Sequence, residues 1–102
     1  MEPEQTRRSA VLSPKIDLPL GRLLITPAAQ AVLTQEDILT ALNRHVRGDW
    51  GVVGPEDKAE NDLSLKQGFR ILSAYESNGG EKFWIITEAD RASTCVLLPS
   101  DY

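Results

Sequence analysis

Residues 69–99 read FRILSAYESNGGEKFWIITEADRASTCVLLP, and this stretch decides the fold. Its apolar residues recur with period two: Phe69, Ile71, Ser73 and Tyr75 alternate with Arg70, Leu72 and Ala74. Ser77-Asn78-Gly79-Gly80 supplies the residues that accept positive φ in a hairpin turn. Lys82–Glu88 follows as a second strand, in which Phe83-Trp84-Ile85-Ile86 predicts burial on both faces near the sheet centre. A tight connection over Ala89–Ala92 leads to a third strand, Ser93–Leu98, closed by Pro99. The pattern predicts a three-stranded antiparallel meander.

Working outward from the meander, helix signals precede it. Pro55-Glu56-Asp57 opens a helix that runs to about Gln67 and stops at Gly68, with a thin apolar face of Ala59, Leu63 and the stem of Lys66, and with Leu65 to the side. A surface position with modest packing is expected of it. Before it, Asp49–Gly54 is a glycine-rich loop. Thr34-Gln35-Glu36-Asp37 has the form of a capping box. The helix it starts carries Ile38, Leu39, Ala41, Leu42, His45 and Val46 on one face and stops at Gly48. Thr26-Pro27 caps a short helix to Leu33, and Leu20–Ile25 reads as a strand in which Leu23, Leu24 and Ile25 suit burial. The expected architecture is α+β: a short N-terminal strand, two to three helices, then the meander packed on the helices. Residues 18–102 form one domain. Residues 1–17 read as a flexible tail and spacer, with Val11, Leu12 and Ile16 as the side chains able to dock on the domain.

Composition excludes several classes of function. The chain has 102 residues, 25 % of them charged, with a net charge of −4, so a broad phosphate-binding surface is disfavoured. One cysteine and one histidine exclude an intrachain disulfide and a thiolate–imidazole zinc site. No cofactor loop, signal peptide or membrane-length apolar run is present, which makes a soluble, cytoplasmic protein without cofactors the expectation. An exposed edge strand leaves a homodimer open.

The candidate binding residues are His45, Asp49, Trp50, Arg70, Trp84, Glu88, Asp90 and Arg91. Glu88-Ala89-Asp90-Arg91 sets two carboxylates and a guanidinium at one end of the sheet, able to clamp a partner or to form a solvated hairpin corner. Trp50, held among glycines, is a binding platform or a cap on the core with its N–H on a nearby carbonyl. His45 reads as a satisfied, partly buried group; catalysis would need a nucleophile such as Ser73, Thr87 or Tyr75 within reach. Cys95, mid-strand, reads as a small buried hydrophobe. Under a helix, Arg70 would need a carboxylate such as Asp49, Asp62 or Glu88.

His45-Val46, Gly48-Asp49-Trp50-Gly51, Glu56-Asp57-Lys58, Asn61-Asp62, Leu72-Ser73-Ala74-Tyr75 and Trp84–Arg91, with Gly68, Arg70, Thr94, Leu97-Leu98-Pro99 and Tyr102, carry a resemblance. Over residues 18–102 the chain resembles a small bacterial family of plasmids and other mobile elements. Its members bear the labels "plasmid-related protein" or "type I restriction endonuclease subunit M". The second label does not fit, because a methyltransferase subunit needs a cofactor-binding α/β domain with a glycine-rich loop that this chain is too short to hold. The resemblance implies an accessory protein of mobile elements rather than an enzyme, with another protein as partner and a host-defence or restriction component as one target. The exposed candidates for that contact are Trp50, the acidic third helix (Glu56, Asp57, Glu60 and Asp62) and the Asp90/Arg91 corner. Two other readings stand beside it: a small RNase of the mRNA-interferase toxin type, and a small-ligand binder with a pocket between Trp50, Arg70 and Trp84.

Overall fold

A computed structural model describes residues 18–102. The tail expected over residues 1–17 lies outside the described residues. The order is β1 (Arg22–Ile25), α1 (Pro27–Val32), α2 (Gln35–Val46), α3 (Pro55–Gln67), β2 (Ile71–Glu76), β3 (Lys82–Thr87) and β4 (Ser93–Leu97), closed by a 3-10 turn at Pro99–Asp101. The fold is α+β.

The sheet corrects the expected topology. It has four strands in the order β1-β4-β3-β2, and β1 lies parallel to β4 while the other pairs are antiparallel. Period-two patterning reveals that a strand exists but not which strand it pairs with, so the N-terminal strand could not be placed from sequence. Gly21 makes the pairing possible. It sits at φ +64, and a Cβ there would lie 2.4 Å from the Ala92 carbonyl carbon. As the sheet edge, β1 leaves Leu23 and Leu24 45 % and 40 % exposed, against the burial expected of them.

The helix starts follow their caps. Thr26 Oγ1 accepts from Ala29 N, with Pro27 opening α1. Thr34 and Asp37 form the full capping box of α2, and α3 ends on left-handed Gly68. α1 and α2 lay Ala29, Leu33, Ile38, Ala41 and Leu42 on Tyr75, Phe83, Ile85 and Val96, which all point to one sheet face. Leu39, expected on that face, is 55 % exposed.

The expected apolar face of α3 is also overturned. Ala59 and Leu63 are exposed, and the residues this helix buries are Asn61 and Ser64. The cause is where the helix stands. α3 closes the free edge of β2, and an edge presents unpaired peptide groups rather than side chains. Asn61 Nδ2 donates to Leu72 O at 2.7 Å, and Leu72 N donates to Asn61 Oδ1 at 3.3 Å, so one amide side chain substitutes for a neighbouring strand. One residue pair along, Ala74 N donates to Trp50 O and Val52 N donates to Ala74 O. The second sheet face, carrying Leu72, Trp84, Cys95 and Leu97, is covered only in part by the C-terminal turn, where Tyr102 meets the Trp84 ring edge-on at 5.5 Å. None of the described helices is long and apolar enough to cross a membrane.

Candidate functional site

A chain of buried polar groups crosses the core. His45 of α2 bonds Ser73 of β2 through Nδ1 and Thr87 of β3 through Nε2, the latter at 2.8 Å. Thr87 Oγ1 lies 2.8 Å from Thr94 Oγ1, which donates to Leu20 O at 2.7 Å. A hydroxyl has one proton, so the directions follow. Thr94 spends its proton on Leu20 and must accept from Thr87. Thr87 in turn accepts from His45 Nε2–H, which leaves Nδ1 to accept from Ser73. A serine hydroxyl donating to an imidazole nitrogen has the form of a catalytic dyad. Here His45, Ser73 and Thr87 are fully buried, so no substrate meets them in this conformation. Burial, and after it the charge of Arg91, lowers the His45 pKa from 6.5 to about 4, so the ring is neutral at pH 7.

Next to His45, Trp50 is 2 % exposed and caps the core with Leu18 and Ile71. Its N–H donates to the Asp62 carboxylate at 2.9 Å rather than to the carbonyl expected, and Lys58 binds the other oxygen at 3.0 Å. These bonds, the indole's first, hold the Asp62 pKa below the usual carboxylate value. Asp49 accepts both arms of Arg44 at 2.7 and 3.2 Å, which depresses its pKa, and the Asp49 carbonyl accepts from the Tyr75 hydroxyl. Burial raises that phenol to about 12. These groups lock the α2–β2 junction.

At the corner expected to cluster charge, Arg91 turns inward instead. From φ +60 its guanidinium donates to Phe69 O, Glu88 O, Ala89 O and Ser64 O, fixing the end of α3 to the β3–β4 turn. Asp90 accepts from Ala92 N, and Glu88 is exposed. The reason is geometric: a planar five-donor fork can reach one carbonyl of the last turn of α3 and three carbonyls of the flanking loops at once.

The remaining candidates, Arg70 and Trp84, share a groove between α3 and the second sheet face. It has a volume of about 620 Å³ and is lined by Val53, Leu63, Phe69, Leu72 and Trp84, together with Asp57 and Glu60 of α3 and with Arg70. Leu63 and Phe69 are 51 % and 55 % exposed. No carboxylate meets Arg70 among the described residues. It donates to the Tyr102 hydroxyl at 2.7 Å with its guanidinium over that ring, which orients the cation and is its one side-chain bond among the described residues. The structure therefore divides the eight candidates into three places: His45, Asp49 and Trp50 at the α2–β2 junction, Glu88, Asp90 and Arg91 at the β3–β4 turn, and Arg70 with Trp84 in the groove.

Sequence reasoning, which counts Asp57 and Glu60 among the exposed partner candidates as part of an acidic third helix, missed Leu63 and Phe69 beside them in the groove. The available signal was α3 itself, whose few apolar residues do not form a stripe and so do not all face a core. Cys95 is half-buried on the second sheet face, and burial raises its thiol pKa. No three His, Cys, Asp or Glu side chains gather as a metal ligand set among the described residues. No protein-family model matches the chain, and no curated protein or solved structure matches it either.

Proposed function

We propose that this protein is a small non-catalytic binding module that docks another protein in the groove between α3 and the second sheet face. The observation that carries the reading is the groove lining. Half-exposed Phe69 and Leu63 line it with Trp84 and with an oriented Arg70 that meets no carboxylate among the described residues, and aromatic and arginine side chains are the ones that dominate interface energetics. The resemblance to proteins of plasmids and mobile elements favours a host-defence or restriction component as the partner. An RNase reading has less support: the only histidine is sealed, Arg91 is committed to carbonyls, and the groove carries two carboxylates where RNA needs cations.

Affinity capture from a host that carries the chain tests the reading. Tagged wild-type protein retains a specific partner, Leu63→Glu with Phe69→Glu loses it, and Leu39→Glu on the far side of α2 keeps it. Equal retention by all three proteins, or no partner at all, overturns the proposal. The groove volume also suits a small ligand. A thermal shift with a metabolite set and no partner in the capture would favour that second reading.

A further inference from the structure

The groove is chemically lopsided. Asp57 and Glu60 stand one turn apart on its α3 wall, and neither pairs with a cation among the described residues; the ion pairs there are Arg44–Asp49 and Lys58–Asp62. The lining also holds apolar Leu63, Phe69, Leu72 and Trp84, and its single cation, Arg70, is turned onto Tyr102. An occupant that complements both surfaces has adjacent cations followed by aliphatic side chains. The chain carries such a segment outside the described residues: Arg7-Arg8-Ser9-Ala10-Val11-Leu12.

The place where that segment joins the domain is favourable. Leu18 is buried against Trp50 and Ile71, and Val53, which packs on this cluster, also lines the groove. The five residues between Leu12 and Leu18 span up to about 20 Å, about the length of the thirteen-residue α3. We propose that residues 7–12 of this protein are an occupant of its own groove, with Arg7 and Arg8 against Asp57 and Glu60 and with Val11 and Leu12 on Phe69, Leu72 and Trp84. As far as the groove is also the partner site, which rests on the function proposed above, the segment competes with the partner and sets a threshold for binding.

The full chain tests this in two ways. In amide and indole NMR spectra, Arg7→Glu with Arg8→Glu shifts the Leu72 amide and the Trp84 indole N–H, while the Trp50 indole, sealed in the core, stays in place. Adding Asp57→Lys and Glu60→Lys to that variant restores the original positions. In limited trypsin digestion, cleavage after Arg7 and Arg8 is up to about tenfold faster in the milder Asp57→Asn, Glu60→Gln variant than in wild type, as expected for loss of two exposed charge pairs. Unchanged Leu72 and Trp84 signals, or equal cleavage rates, overturn the proposal. Neither readout uses a partner, so the docking of the segment and the function of the groove fail or stand separately. If both hold, the Arg7→Glu, Arg8→Glu protein captures more partner than wild type does.

Discussion

His45 shows how one residue can look catalytic and act as structure. Its two ring nitrogens join α2 to β2 and β3, and the hydroxyl chain continues through β4 to the carbonyl of Leu20. Replacing it by Ala leaves the Ser73 hydroxyl without its partner, takes one of the two bonds from the Thr87 hydroxyl and opens a cavity, so His45→Ala costs about 3 kcal/mol in urea unfolding. The same burial gives a pH signature. The unfolded ring takes up a proton at its ordinary 6.5 and the folded ring only at about 4. Stability from the neutral ring is therefore complete above pH 6.5 and is lost as pH falls towards 4, by about 3 kcal/mol in all. The carboxylates of Asp37, Asp49, Asp62 and Asp101 have pKa values lowered from 3.8, so their losses come at lower pH. Unfolding titrations between pH 7 and 4.5 should show a slope in wild type that a His45→Gln protein lacks. Sequence made part of this legible. Helical spacing places His45 on the inner face, and strand alternation places Ser73 and Tyr75 inward. It does not reveal that Thr87 and Thr94 face each other across a ladder, because that depends on register.

Among the elements, α3 departs furthest from what its sequence implies. Its Ala59 and Leu63 read as a thin apolar face, yet the helix is held by Asn61 on the Leu72 peptide groups, by Asp62 on Trp50 and by Arg91 on its final turn. These attachments are polar and long-range, so no periodicity announces them. Helix starts and the hairpin turn were legible because Thr34, Asp37, Pro55, Gly68 and Gly80 act through local geometry that their types alone specify. Asn61→Ala removes two bonds at the β2 edge and should cost about 2 kcal/mol, with faster hydrogen exchange at Leu72 N than at Ala74 N. Arg91 carries a second burden, its left-handed backbone. Arg91→Ala loses the carbonyl bonds and keeps the strain, whereas Arg91→Gly relieves the strain; the Gly protein should be the more stable by about 1 kcal/mol.

On the scale of the whole molecule, the sheet has one face sealed by α1 and α2 and a second that the C-terminal turn and α3 border without filling. The two tryptophans report on this asymmetry, since Trp50 is buried and Trp84 half-buried in the groove wall. Iodide should quench a Trp50→Phe protein, which retains Trp84, more strongly than a Trp84→Phe protein. Strand alternation puts Arg70 on the face of Leu72 and Ala74; its nearness to Trp84 was expected only in a pocket that also held Trp50, which lies in the core instead. The groove was not legible, because its other wall belongs to a helix whose position only tertiary structure gives. The most direct test of the groove as the working surface is covalent capture in the host, with a photoreactive amino acid placed at Phe69 and, separately, at Leu39. The account predicts that one partner is cross-linked from position 69, that position 39 yields nothing above background, and that Leu63→Glu abolishes the position-69 product. A partner cross-linked equally from both positions, or from position 39 alone, would contradict it.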